Sequence, residues 1–389
     1  MSGKRSSRWP VLLAVLFLVG FVSVGAQRQL PRHETRYYYL HTDLEVDQAR
    51  AAAIRMTKMA EEYFRRTKDF GRGQPDRRFD FYLFSNQADY NAAGGPPGSA
   101  GVYMRRGNDA RLMAFMIPGH EAESWKTVQH EGFHQFADVS IGRLPPWVNE
   151  GLAEYFGESI FTGDGYVSGI VDPRRLERIR RTMEENRFIR VEDLMDMTQR
   201  EWNARLKHEN YDQGWAMVHF LAHGDGGRYQ RPLADFIDRV GRGQDQVNAW
   251  GATFGSTDGM ADALNKFWAG YDPADADHLR AEATLRTLTS YLARAVLQGK
   301  QYDNFDAFLE GLRDGDISMD VNVVGENWLP DDLRLRVLHN TDGWLAAGYA
   351  FEIVSDPRRL QLRMTEPDGT VKLAGYKLRR GLVSEVVVQ

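Results

Sequence analysis

The stretch Val128-Gln129-His130-Glu131-Gly132-Phe133-His134-Gln135-Phe136 sets two histidines four residues apart, with a glutamate directly after the first. Apolar spacing on either side predicts a helix over 122–139. Residues four apart on a helix share a face, so both imidazoles can reach one ion. Glu131 is turned by about 100° from His130 and stands beside that ion rather than on it. A second helix is predicted over 146–158, with Pro146 suited to its first turn. It reads Trp147-Val148-Asn149-Glu150-Gly151-Leu152-Ala153-Glu154-Tyr155-Phe156. A carboxylate from this helix would complete a His₂Glu donor set with the fourth position open, the arrangement of a catalytic rather than a structural zinc site. Glu150 and Glu154, one turn apart, compete for that place.

Composition narrows the chemistry further. The 389 residues include no cysteine, which excludes a disulfide scaffold, a thiol nucleophile, a zinc finger and an iron–sulfur centre. Any metal site must then use histidine and carboxylate. With 54 acidic against 49 basic side chains and a net charge of −5, the chain has no overall basic footprint for nucleic acid. Hydrophobic residues at 42% and charged residues at 26% are the balance of a folded protein.

At the N-terminus, Lys4, Arg5 and Arg8 precede an apolar run from Val11 to Val24, and Val24-Gly25-Ala26 has the small-residue pattern of a cleavage site. Residues 1–26 are therefore expected to be a signal peptide. If retained, this segment would be the chain's link to a membrane. An exported chain without disulfides fits a bacterial periplasm or exterior.

The fold class expected is α+β. Strands are predicted at 36–41, 79–84, 101–104 and 111–117, the last offering an edge on which an extended peptide could add as a further strand. Helices are predicted at 44–67, 85–91, 174–185, 211–223, 232–240, 274–297 and 305–312. From about Met319 the pattern turns to strands, at 334–338, 348–354, 360–364, 370–378 and 383–388, with Pro367-Asp368-Gly369 as a hairpin turn. These elements suggest a principal domain over 27–270, a helical extension over 271–318 and a β-rich domain over 319–389. His219 and His223 are also four apart, but no base lies between them, and they read as core or helix-end residues. His120 belongs to the entry of the first helix. Asp272, Asp275 and Asp277 lack the spacing of a calcium loop and read as a helix start.

The two motifs in this order, HEGFH and WVNEGLAEYF, resemble the gluzincin metallopeptidases, particularly the aminopeptidase-N-like and peptidase-MA-like families with their W-x-N-E-G-x-A signature. The resemblance implies a zincin-type catalytic domain, made of a small twisted sheet, the HExxH helix and a helical body. It also implies one catalytic Zn²⁺ held by His130, His134 and Glu150, with Glu131 as general base. Glu154 matches an acidic residue that hydrogen-bonds a zinc-bound histidine. Tyr211-Asp212-Gln213-Gly214 is similar to the Tyr-x-x-Gly helix of these families, whose tyrosine stabilises the tetrahedral intermediate.

The likeness covers residues 79–223 and breaks at one place. Aminopeptidases of this clan carry Gly-x-Met-Glu-Asn upstream, where the glutamate captures the substrate amine. Here the nearest segment is Gly101-Val102-Tyr103-Met104-Arg105-Arg106, and its arginines would repel an N-terminal ammonium. The expectation is an exported zinc metallopeptidase cleaving a peptide or protein substrate through a metal-activated water, endopeptidase rather than aminopeptidase. Two other readings remain open. One is a non-catalytic exported binding protein on a zincin fold; the other is a zinc hydrolase of a non-peptide amide such as a cell-wall bond.

Overall fold

The computed structural model describes residues 30–70, 73, 77–107, 109–204, 208–320, 322, 327–356 and 359–389. The expected signal segment, 1–26, lies outside them. Among the described residues, no helix is long and apolar enough to cross a membrane. The strands are β1 (Arg32–Glu34), β2 (Tyr38–Thr42), β3 (Phe79–Phe84), β4 (Gly101–Arg106), β5 (Asp109–Phe115), β6 (Ile160–Phe161), β7 (Tyr166–Val167), β8 (Ala350–Asp356), β9 (Arg359–Thr365), β10 (Val371–Arg379) and β11 (Leu382–Val388). The helices are α1 (Val46–Arg66), α2 (Gln87–Ala92), α3 (Glu121–Ser140), α4 (Pro146–Gly157), α5 (Pro173–Glu184), α6 (Val191–Asp196) and α7 (Gln199–Ala204). They continue with α8 (His208–His223), α9 (Gln230–Gly241), α10 (Gln246–Thr253), α11 (Met260–Ala269), α12 (Pro273–Leu297), α13 (Phe305–Asp314) and α14 (Asp331–Ala346). The protein is mixed α/β with a small C-terminal sheet.

The chain forms two compact units. Among the described residues, one is built from those between Leu30 and Glu45, Thr67–Gly157 and Arg181–Asn265; the other from Val46–Arg66, Glu158–Arg180 and Lys266–Gln389. The stretches 271–318 and 319–389 thus fall within one unit.

The first unit carries a five-stranded sheet in the order β1-β2-β3-β5-β4. β2, β3 and β5 run parallel, while β4 returns antiparallel along β5. β5 therefore lies inside the sheet, and the edges are β1 and β4. This corrects the expectation that 111–117 is an edge strand. Leu112, Met113, Ala114 and Phe115 are buried without alternation, the pattern of a strand covered on both faces. α3 lies against β4 and β5, and Gln135 donates from its side chain to the Asp80 carbonyl at 2.9 Å, tying the helix to β3.

α3 packs on α4, and α4 on α8. Two glycines from the sequence motifs set the second contact. A Cβ on Gly151 would sit 2.4 Å from the Gly214 carbonyl oxygen, and one on Gly214 would sit 3.1 Å from the Trp147 oxygen. Both helix backbones approach too closely to admit a side chain there. Gly151→Ala is expected to cost at least about 1–3 kcal/mol of stability, the usual range for overpacking. Urea unfolding measures this, and an unchanged midpoint would show that the close approach is dispensable.

In the second unit β8 to β11 form an antiparallel meander in the order β11-β10-β9-β8. The turn at Pro367-Asp368-Gly369 is a hairpin as expected: Gly369 has φ +88°, and the Glu366 amide donates to the Thr370 carbonyl at 2.8 Å. Ala293 of α12 packs with Tyr376, Val383 and Val386 of this sheet. Arg294 makes a buried two-point ion pair with Asp164 at 2.8 and 2.9 Å. Asp272 caps α12 and Asp275 lies in its first turn, in keeping with a helix start. Residues 334–338 are helical, not a strand. Their polar–apolar alternation is local, whereas Leu333, Val337, Leu338 and Thr341 are buried at helical spacing. Asp331 and Asp332 occupy the first turn, where negative charge complements the helix dipole.

Candidate metal centre

The four-residue spacing on α3 does what its geometry allows. His130 and His134 turn toward each other with their Nε2 atoms 3.0 Å apart. Oε2 of Glu150, from α4, lies 3.4 Å from each of those nitrogens. His130 meets Glu150 and Glu154 while His134, one turn later, meets Glu150. The two helices are therefore antiparallel here.

The triangle of 3.0, 3.4 and 3.4 Å fits a metal. Bonds of about 2.0–2.2 Å in a tetrahedral arrangement place the ligand atoms roughly 3.3–3.6 Å apart, a separation the two Glu150 distances meet and the imidazole pair falls slightly short of. Burial points the same way. His130 and Glu150 are 2% and 1% exposed, and neither Glu150 oxygen has a hydrogen-bond partner. A buried carboxylate without donors is costly unless a cation meets it. Among the described residues His130, His134 and Glu150 form the one group of three or more such donors able to hold a metal ion.

Glu154 lies 3.3 Å from Nδ1 of His130, on the side of the ring away from the other donors. A carboxylate there fixes the imidazole's tautomer and orientation, leaving Nε2 free to ligate. Burial opposes a charge on His130, but Glu150 and Glu154 outweigh it and hold its pKa above the ordinary imidazole value. On Glu150 burial is likewise outweighed, by His134 and His130, and its carboxyl titrates at about 2. The site thus concentrates negative charge around the imidazoles.

Glu131 is 1% exposed. Its Oε2 accepts from the Tyr103 amide of edge strand β4 at 2.8 Å, and its Oε1 is buried without a partner. The carboxylate is held by one oxygen and open at the other. Gly101 permits this closeness, since a Cβ there would stand 2.7 Å from the Thr127 Cγ2 and 3.2 Å from the Glu131 Cγ. Sequence reasoning missed the Tyr103 amide, because a backbone donor carries no residue signal. It also missed Asp138, one turn beyond His134, which accepts from the Tyr103 hydroxyl at 2.5 Å and from Arg105 at 2.6 Å. Arg105 is thereby tied to α3, while Arg106 ends the strand exposed.

Tyr211 lies in the first turns of α8 and is 7% exposed. Burial, then the charge of Glu150, pushes its phenol well above the usual range, with Glu131 and Glu154 adding to the effect. The phenol thus stays protonated within electrostatic reach of the donor cluster. Its ring meets Trp202 edge-on at 5.6 Å. His219 is buried beside Trp215, and His223 ends α8 with Nε2 3.0 Å from the Tyr155 hydroxyl. Neither joins the cluster. His120 stands at the start of α3.

A family model described as Protein of unknown function (DUF1570) matches residues 124–241. The matched stretch runs from α3 into α9 and contains the three donors, Glu131, Glu154 and Tyr211. No curated protein matches the sequence.

Proposed function

We propose that this chain is an exported zinc-dependent metallopeptidase of gluzincin type, acting as an endopeptidase. The observation that carries the reading is the buried His130–His134–Glu150 triangle with the half-open Glu131 carboxylate beside it. A divalent ion held by those three residues would supply Lewis acidity, lowering the pKa of water and polarising the scissile carbonyl. The remaining work falls to the protein's own groups. Oε1 of Glu131 takes the proton of the attacking water and returns it to the leaving amine. The Tyr103 amide keeps that carboxylate aimed by holding Oε2. Tyr211, neutral and buried, donates its hydroxyl to the oxyanion of the substrate carbonyl.

Zinc is favoured by the donor set, two imidazoles and one carboxylate with a position left for solvent. Two observations support cleavage within a chain rather than at its amino end. In the segment nearest to the amine-binding motif of the resembling aminopeptidases, Arg105 and Arg106 stand in place of an acid. β4, the free edge beside Glu131, can take an extended peptide as an added strand.

The expected Tyr211→Phe effect is a fall of about 10²–10³-fold in kcat with KM little changed, the loss seen when one oxyanion donor is removed. Steady-state kinetics on a cleaved peptide checks this. An equal kcat would remove Tyr211 from the mechanism. Digestion of a broad peptide library with and without a chelator tests the activity itself. Cleavage that stops with the chelator and returns with zinc is expected. Metal-replete protein that cuts no peptide would favour the binding-protein or non-peptide amide readings.

A further inference from the structure

The second unit holds a cavity of about 410 Å³ between α12, α14 and β6. Arg336 lines it, and its situation is unusual. Its Nη2 donates to the Phe161 carbonyl at 2.7 Å, and among the described residues no carboxylate pairs with it. Other enclosed arginines of this unit do have acids: Arg294 has Asp164, and Arg55 has Asp332 at 2.5 Å. Burial, then the charge of Arg55, lowers the Arg336 pKa to about 10. Asp332, one turn earlier on α14, acts on it too but is already paired with Arg55, so two guanidiniums share one carboxylate and Arg336 keeps donors to offer an anion.

The rest of the lining agrees. Its other charged groups are already matched, Arg280 to Asp277 and Asp342 to Arg313. Trp344 is fixed by its indole N–H, which donates to Thr284 at 3.0 Å, and with Ile160 and Val337 it supplies an apolar wall. Gly343 also lines the cavity, in the body of α14, where a Cβ would meet nothing within 4 Å. Glycine is a poor helix former, and no neighbour demands it here. Its effect is to leave the cavity open.

We propose that this cavity binds a small organic anion, whose carboxylate or phosphate meets Arg336 and whose apolar part lies against Trp344, Val337 and Ile160. The planar guanidinium fork suits either acid group. The site is separate from the proposed metal chemistry and does not depend on it.

Isothermal titration of the full chain with benzoate, phenyl phosphate, inorganic phosphate and neutral benzamide tests this. Benzoate or phenyl phosphate should bind at least about tenfold more tightly than benzamide, the order between them identifying the acid group. Inorganic phosphate, lacking the apolar part, should bind more weakly than phenyl phosphate. Gly343→Leu fills the open space without touching the cation, and should abolish binding with the unfolding midpoint kept. Arg336→Gln should abolish it too. If that variant fails to fold, Gly343→Leu decides. No binding of either aryl anion at millimolar concentration would overturn the proposal, as would benzamide binding equally well or Gly343→Leu binding unchanged.

Discussion

Glu131→Gln is expected to keep the metal and lower peptide hydrolysis by about 10²–10⁴-fold, the contribution of a positioned general base. The substitution is nearly isosteric. The amide oxygen of glutamine can still accept from the Tyr103 amide, so the contact between α3 and β4 survives. What disappears is the basicity of Oε1, the buried atom with no protein partner. Metal stoichiometry and the unfolding midpoint should therefore stay near those of the native chain while kcat collapses. A fully active Glu131→Gln protein would remove Glu131 from the chemistry.

Removing Glu150 should act on the metal instead. Its Oε2 is equidistant from the two imidazole nitrogens at 3.4 Å, and its carboxylate is the one acidic group shared by both. Glu150→Gln takes away the anionic donor, and after dialysis the variant should retain little metal by elemental analysis. Glu154→Ala should be milder. Within the donor cluster it meets His130 at the far ring nitrogen, and losing such a partner typically costs about 10–100-fold in metal affinity or activity. The comparison is decisive in both directions. If Glu154→Ala empties the site and Glu150→Gln does not, the two carboxylates have exchanged roles.

Much of this site could be read from the sequence because helical periodicity is rigid. Spacing of four on α3 paired the histidines, and the acidic pair on α4 narrowed the third donor to Glu150 or Glu154, between which the family resemblance chose Glu150. The predicted helices at 122–139 and 146–158 differ from α3 and α4 by a residue or so at each end. The support around the donors was not readable. The hold on Glu131 comes from a backbone amide of a strand 28 residues away, and Asp138 looks like any helical acid until Tyr103 and Arg105 meet it. Arg334–Leu338 misled because five residues can alternate like a strand inside a helix, and only the longer run from Asp331 shows the 3.6-residue period. The unbroken burial of Leu112–Phe115 belongs to an interior strand, a signal present in the sequence but outweighed by the expectation of an edge. α6, α7, α10 and α11, six to ten residues long, went unread; so few turns give a weak period, although α2 and α13 were read at similar length.

Anomalous diffraction at the zinc absorption edge, from crystals grown with zinc, asks about the metal centre most directly. We expect a single strong peak about 2.0–2.2 Å from His130 Nε2, His134 Nε2 and one Glu150 oxygen, with Glu154 off the ion and beside His130 Nδ1. Zinc-saturated crystals with no peak among those three residues, or with the ion on Glu154 and not on Glu150, would contradict it.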